Sequence, residues 1–443
     1  MAESYFPQRG NEGYQIKHYD LGLVYRVSNN RLDGGAVLTA TVISPEPLRE
    51  FTLDLSGALR VERVAIDSDD HQVTRARHAQ RSDKLRVLPA VPLNPGHTFK
   101  IEIRYSGVPK LMNSRYGGLG WEQLTDGVLV ASQPIGAPSW FPCDDRPDRK
   151  ASYEITITTQ SAYHVVANGV LVSRRTGGAN TTWTYKQAEP MATYLASVQI
   201  GKYRSVDLSS RGVPQRVVVP PRFVSRAKTA FAKQPRMIEV FERFYGPYPF
   251  AGGYTAVVAD DDLEIPIEAQ GMSIFGINHL APAWENERLI AHELSHQWFG
   301  NSLTIVDWRD IWLHEGFAAY SEWLWSEVSG ERSADEHARR WHARMAKRPQ
   351  NLVLADPGPA DMFDDRVYKR GALTLHALRL TIGDVAFLRI LRQWTTANRL
   401  GGVRTEDFIK LVTESDIPVM TANPDSFFER WLETPRLPPL PPA

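Results

Sequence analysis

Over roughly the first 200 residues, apolar and polar positions alternate with period two. Phe51-Thr-Leu-Asp-Leu55, Phe99-Lys-Ile-Glu-Ile-Arg-Tyr105, Ser152-Tyr-Glu-Ile-Thr-Ile-Thr158 and Thr182-Trp-Thr-Tyr185 each put their apolar side chains on one face, the signature of strands. Asp33-Gly-Gly35 and Thr176-Gly-Gly178 are expected as turns between such runs. Alternation with one wet face predicts an antiparallel saddle or sandwich rather than a buried parallel sheet. From about Arg222 the spacing becomes helical. Ala227, Phe231, Ile238, Phe241 and Tyr245 share a face up to the break at Gly246-Pro-Tyr-Pro-Phe250, and Pro235 makes this one kinked helix or two short ones. The pattern predicts an α+β multidomain chain: an N-terminal antiparallel β domain over 1–205, a mainly helical domain over 206–434, and a tail over 435–443. Five prolines in the nine residues of the tail predict an extended, mobile segment.

Composition narrows the function classes. The 443 residues carry 51 Lys plus Arg against 51 Asp plus Glu, so no global charge draws the chain to nucleic acid or anionic lipid, and neither is expected as a partner. No apolar run approaches the ~18 residues that span a bilayer. Residues 1–25 contain Glu3, Arg9, Glu12, Lys17 and Asp20 without an apolar signal core, which gives a cytoplasmic expectation. Cys143 is the only cysteine, so an intramolecular disulfide and a thiolate metal cluster are both excluded. Gly117-Gly-Leu-Gly120 lacks the last glycine of a dinucleotide fingerprint, and neither a phosphate-binding loop nor a Gly-x-Ser-x-Gly elbow occurs.

Metal chemistry has a clear signal. His292-Glu-Leu-Ser-His296 lies inside a proline-free run from Trp284 to Trp298. Residues four apart on a helix share a face with Cβ atoms ~5–6 Å apart, which lets His292 and His296 meet one ion. Glu293 projects about 100° round the helix, beside the ion, where a carboxylate can take a proton from metal-bound water. A catalytic zinc site usually takes a third protein ligand. The next helical run, Ile311 to Trp325, carries Glu315, with eighteen residues intervening after His296. His314 is a rival that points about 100° away. Glu322, seven residues past Glu315, is either an acceptor that orients a ligand imidazole or a solvated helix charge.

The blocks His292-Glu-Leu-Ser-His-Gln-Trp-Phe-Gly-Asn301 and Trp312-Leu-His-Glu-Gly-Phe317 resemble those of the zinc aminopeptidases of the aminopeptidase N and leukotriene hydrolase family. The resemblance implies a saddle-like β domain followed by a thermolysin-like, mainly helical zinc domain, with one zinc ion per chain. It further implies a catalytic role for Tyr368, in Tyr368-Lys-Arg-Gly-Ala-Leu373, and an amine-binding role for Glu268. Gln133, which opens a stretch ending Trp140-Phe-Pro-Cys-Asp-Asp-Arg-Pro147, falls near the substrate pocket on the same grounds. Two departures stand out. The family's Gly-x-Met-Glu-Asn reads Ile265-Pro-Ile-Glu-Ala269 here, and His314 stands where the family usually has Asn. The helical C-terminal domain common in the family is expected to be absent. On the residues alone, Gln133 also reads as a loop amide, and Tyr368 competes with Tyr254 and Tyr320.

The resulting expectation is a zinc aminopeptidase acting on peptides with a free N-terminus. His292, His296 and Glu315 hold zinc, Glu293 is the general base, Tyr368 stabilises the oxyanion, and Glu268 and Gln133 bind substrate. The alternatives are an endopeptidase or epoxide-type hydrolase on the same site, or a binding module without turnover.

Overall fold

A computed structural model describes residues 3–68, 71–209, 211–415 and 424–442. The chain divides into two compact units that are not contiguous in sequence. The first comprises Met1–Asp207, Pro214–Ala227 and Phe250–His279; the second comprises Leu208–Val213, Lys228–Pro249 and Leu280–Ala443.

The first unit is built on an eight-stranded sheet. Its spatial order is Val170–Gly177, Asn180–Met191, Ala151–Gln160, Tyr14–Arg26, Arg31–Val42, Thr98–Gly107, Leu59–Ser68 and His71–Arg75. The pairing is antiparallel except where Tyr14–Arg26 runs parallel to Ala151–Gln160. Alternation decides the faces: Ala151, Tyr153, Ile155, Ile157 and Thr159 are buried while the residues between them are half-exposed. In Tyr14–Arg26 a register shift between Ile16 and His18 returns Tyr19 to the core face. The glycine pair Gly34-Gly35, expected as a turn, lies inside the strand Arg31–Val42. Its role is packing. Gly34 pairs with Tyr105 across the sheet, and a Cβ on Gly34 would stand 2.3 Å from the Tyr105 ring. Of Thr176-Gly-Gly178, Thr176 and Gly177 end a strand and Gly178 opens the two-residue turn to its partner, at a φ of +59°.

The unit also holds a three-stranded sheet and two five-stranded sheets, one of them in the order Arg204–Asp207, Gln215–Val219, Tyr254–Val258, Met272–Phe275 and Ile267–Ala269. The three middle strands of that sheet are parallel and almost fully buried, which is why Val217-Val-Val219 reads as an unbroken apolar run. The edge strand Ile267–Ala269 returns as a hairpin through Gln270-Gly271, and Glu268 pairs with Ser273.

The chain has two short helices where one kinked helix was the alternative: α1, Val224–Ala230, and α2, Gln234–Tyr245, with Pro235 in the first turn of α2. The second unit contains α2, followed by α3 (Trp284–Ser295), α4 (Trp312–Ser329), α5 (Ala334–Met345), α6 (Asp365–Ile382), α7 (Asp384–Ala397) and α8 (Thr405–Thr413). Fifteen of the eighteen residues of α4 are buried, so it is the central helix, packed against α3, α5 and α6. Where α4 crosses α6, Gly316 meets Gly371: a Cβ on Gly371 would lie 2.6 Å from Gly316 Cα. Among the described residues, no helix is long and apolar enough to cross a membrane.

The Pro-rich tail is extended but tied down rather than free. Leu437 N donates to Gln350 Oε1 (2.8 Å), His342 Nε2 bonds Pro438 O (2.7 Å), and Arg370 Nη1 donates to Pro435 O (2.7 Å). Proline-rich backbone makes no internal hydrogen bonds, so its carbonyls are available to such side chains.

The Gly34 contact generates a stability prediction. Tyr105 is buried and its hydroxyl donates to Trp140 O (3.0 Å), so the ring has no easy retreat from a new methyl group. Gly34→Ala is expected to cost ~1–3 kcal/mol through overpacking, read as a lower urea midpoint at unchanged slope.

Candidate metal centre

Helix α3 begins with Glu285 and Glu287 in its first turn, where carboxylates favour the positive end of the helix dipole. It ends on the histidines. His292 lies in its last turn and His296 is its C-terminal cap, so the i, i+4 spacing brings their ring centroids to 4.9 Å. Glu315, in the first turn of α4, sets Oε2 at 3.5 Å from Nε2 of both histidines. All three residues are buried.

The hydrogen bonds on the far sides of the rings fix what those donor atoms carry. His296 Nδ1 is 2.9 Å from Phe299 O, and a carbonyl can only accept, so Nδ1 holds the proton and Nε2 presents a lone pair. His292 Nδ1 is 2.9 Å from Glu322 Oε1, which imposes the same tautomer. Two imidazole lone pairs therefore face a carboxylate oxygen across 3.5 Å, an arrangement that a cation between them would satisfy. Three ligands at ~2.0–2.2 Å in a tetrahedral arrangement stand about 3.3–3.6 Å apart. The donor spacing thus fits zinc, and the set of two nitrogens and one oxygen leaves a fourth position for water or substrate.

Burial pushes the Glu315 carboxyl up, but His296 and His292, where they carry a proton toward it, pull it further down, and it is held well below the usual range. Glu322 is likewise buried, and Lys369, the His292 hydrogen bond and Arg288 bring it down to about 2. Arg288 Nη1 stands 3.2 Å from Glu322 Oε2, and Lys369 Nζ 3.8 Å from Oε1. Glu322 is thus an ionised, buried acceptor rather than a solvated helix charge.

Glu293 is buried one residue on from His292. Tyr368, on α6, is half-buried and stacks on His292, with centroids 6.0 Å apart and planes 20° from parallel. The rivals are engaged elsewhere. His314 Nε2 accepts from Ile305 N (3.0 Å), Tyr254 OH bonds Ser273 Oγ (2.6 Å), and Tyr320 OH bonds His376 Nδ1 (3.2 Å). In the first unit, Gln133 Nε2 donates to Glu268 Oε1 at 2.6 Å, with Glu268 buried on its edge strand. Sequence reading missed Arg288 and Lys369 as partners of Glu322. Arg288 had a signal, because it precedes His292 by four residues and shares its helix face.

Residues 229–431 match the peptidase family M1 domain, and residues 15–195 match the peptidase M1 N-terminal domain. Among curated relatives, aminopeptidase A of Gloydius brevicauda is 26% identical over 431 residues, covering 90% of this chain and 44% of that protein. Human endoplasmic reticulum aminopeptidase 1 is 26% identical over 418 residues, covering 88% and 44%. The chain therefore spans less than half the length of these relatives. Among solved structures, the M1 zinc metallopeptidase from Deinococcus radiodurans is 30% identical with a TM-score of 0.87, covering 99% of this chain and 98% of that one. A mutant of it bound to a Tyr-Ser-Ala substrate matches with the same identity and TM-score, covering 99% of both chains.

The role of Glu322 is open to measurement. Glu322→Gln keeps an acceptor for His292 Nδ1 but removes the charge, and changes to such outer partners typically cost 10–100-fold in metal affinity. The variant is expected to bind zinc ~10-fold more weakly than wild type in competition against a calibrated chelator.

Proposed function

The chain belongs to peptidase family M1, and from that membership we propose that it is a zinc-dependent aminopeptidase releasing N-terminal residues from peptides. The observation that carries the reading is the convergence of His292, His296 and Glu315, each presenting a lone pair to one point, with both imidazole tautomers set from behind. Residues 206–434 hold the catalytic machinery in this proposal. Zinc held there by His292, His296 and Glu315 would supply Lewis acidity toward a water and a carbonyl oxygen. Glu293 is the base that takes the proton of the attacking water and returns it to the departing amine. Tyr368 donates a hydrogen bond to the oxygen on which negative charge develops. Glu268 receives the substrate's α-ammonium and confines cleavage to the first peptide bond. Gln133 supports it, because its amide donates to Oε1 of Glu268 and so orients the carboxylate. A structural neighbour binds a tripeptide substrate, which is the class of ligand proposed.

Two experiments test this. Glu293→Gln keeps the size and polarity of the side chain but removes the base, so turnover is expected to fall by at least ~10²-fold while one zinc per chain is retained. Near-normal turnover would mean that another group is the base. The exopeptidase assignment is tested by kcat/KM for one peptide with its N-terminus free and acetylated. The free form is expected to be cleaved and the acetylated form ignored, because acetylation deletes the charge that pairs with Glu268. Removing one partner of such a pair costs ~2–5 kcal/mol, so Glu268→Ala should cripple cleavage of the free form and erase most of the discrimination. Equal rates on both peptides with the wild-type enzyme would replace the aminopeptidase by an endopeptidase.

A further inference from the structure

Arg370 is a buried cation whose hydrogen-bond partners are all backbone oxygens. Nε donates to Trp431 O (3.2 Å), Nη1 to Leu352 O (2.9 Å) and Pro435 O (2.7 Å), and Nη2 to Arg430 O (3.5 Å) and Thr434 O. Four of the five carbonyls belong to the π-helical turn Glu429–Glu433 and the two residues after it. Carbonyls at the end of a helical turn carry partial negative charge and lack partners within the helix, so a cation there is favoured. Only the planar fork of arginine spans several of them at once; a lysine ammonium is a single point of charge.

The residues beside Arg370 connect this grip to the metal centre. Tyr368, two positions earlier, stacks on His292. Residues two apart on a helix diverge by about 200°, so the guanidinium holds the side of α6 opposite the phenol. Lys369 lies between them, with Nζ 3.8 Å from Glu322 and 5.0 Å from the Trp341 ring. Gly371 follows, in backbone contact with Gly316, the neighbour of Glu315. That contact sets the separation of α4 and α6 at their closest approach, within a longer interface along the two helices. Arg370 holds α6 from the far side, against the C-terminal turn.

We infer that Arg370 is a positioning residue for the reaction: its clamp on the C-terminal turn, acting about the Gly316–Gly371 contact, fixes the rotation of α6 and so where Tyr368 stands beside the metal ligands. The inference rests on Tyr368 acting as proposed above.

The test measures Arg370→Lys and Arg370→Met in wild-type and Tyr368→Phe backgrounds. A misplacement of 1 Å can cost ~10²-fold in rate, so Arg370→Met is expected to lower kcat by about that factor. Arg370→Lys, which keeps the charge without the fork, should lower it by ~10-fold, a partial rescue. In both, KM should change less than about twofold and one zinc should remain. Neither substitution should lower kcat further once Tyr368 is Phe, because the group being positioned is gone. A phosphinic dipeptide, which carries tetrahedral oxygens like those of the transition state, should bind Arg370→Lys ~10-fold more weakly by calorimetry. Should the Met variant not fold, Gln350→Ala leaves Arg370 intact and loosens the tail at Leu437; it should cost about two- to threefold in kcat, again only with Tyr368 present. Equal fold-losses in both backgrounds, a loss confined to KM or zinc content, or unchanged inhibitor affinity would each overturn the inference. Wild-type kcat in Tyr368→Phe would reject the role of the tyrosine itself, and the inference with it. Additive losses on an impaired Tyr368→Phe enzyme would reject only the part assigned to Arg370.

Discussion

Three lone pairs aimed at one buried point repel each other, and much of the second unit reads as the means of holding them there. Nε2 of His292 and Nε2 of His296 each stand 3.5 Å from Oε2 of Glu315, with little solvent to screen them. Such a cluster is unstable in isolation, because each group would turn away or take up a proton. Turning away is blocked by hydrogen bonds behind each ring, to Glu322 on one side and to the Phe299 carbonyl on the other. A cation between them would relieve the repulsion, and its binding free energy would then be partly folding free energy.

Charge around the centre follows from that requirement. A carboxylate behind His292 makes the imidazole a better ligand only while it stays ionised, and a lone buried carboxylate would not. Arg288 from α3 and Lys369 from α6 keep Glu322 charged, so two helices besides its own contribute to the basicity of the His292 imidazole. Removing one partner from a buried ionic group of this kind is far more disruptive than never having built it. The group therefore also stands as a reason for α3, α4 and α6 to keep a single relative arrangement.

Local periodicity made part of this molecule legible from its residues. Runs such as Phe99–Tyr105 and Ser152–Thr158 fall within the strands Thr98–Gly107 and Ala151–Gln160, because alternation with a wet face has one simple structural solution. The positions of His292 and His296 at the end of α3, and of Glu315 near the start of α4, follow from helical spacing and a short return between helices. What could not be read falls into two kinds. Gly34-Gly35 had the composition of a turn, but Tyr105, some seventy residues further on, determines its use. The acceptors of His296 Nδ1 and of Arg370 are main-chain carbonyls, which every residue has and which leave no mark in composition. The tail was expected to be mobile for the same reason: its anchors are ordinary peptide groups met by distant side chains.

The interleaving of the two units has a temporal meaning. After a short excursion at Leu208–Val213, the chain enters the second unit at Lys228, returns to the first at Phe250, and leaves it again at Leu280. The five-stranded sheet that ends on Ile267–Ala269 lacks three of its strands, including the one bearing Glu268, until the last of the first unit's segments is available. On a ribosome, where a domain generally folds once its own residues have emerged, the first unit is incomplete until residue 279 is outside the exit tunnel. By then 228–249, including α2, has emerged ahead of α3, α4 and α7, which pack against α2. Synthesis order thus builds in an interval when α2 presents Ile238, Phe241 and Tyr245 to solvent or to a chaperone, before the helices that bury them exist.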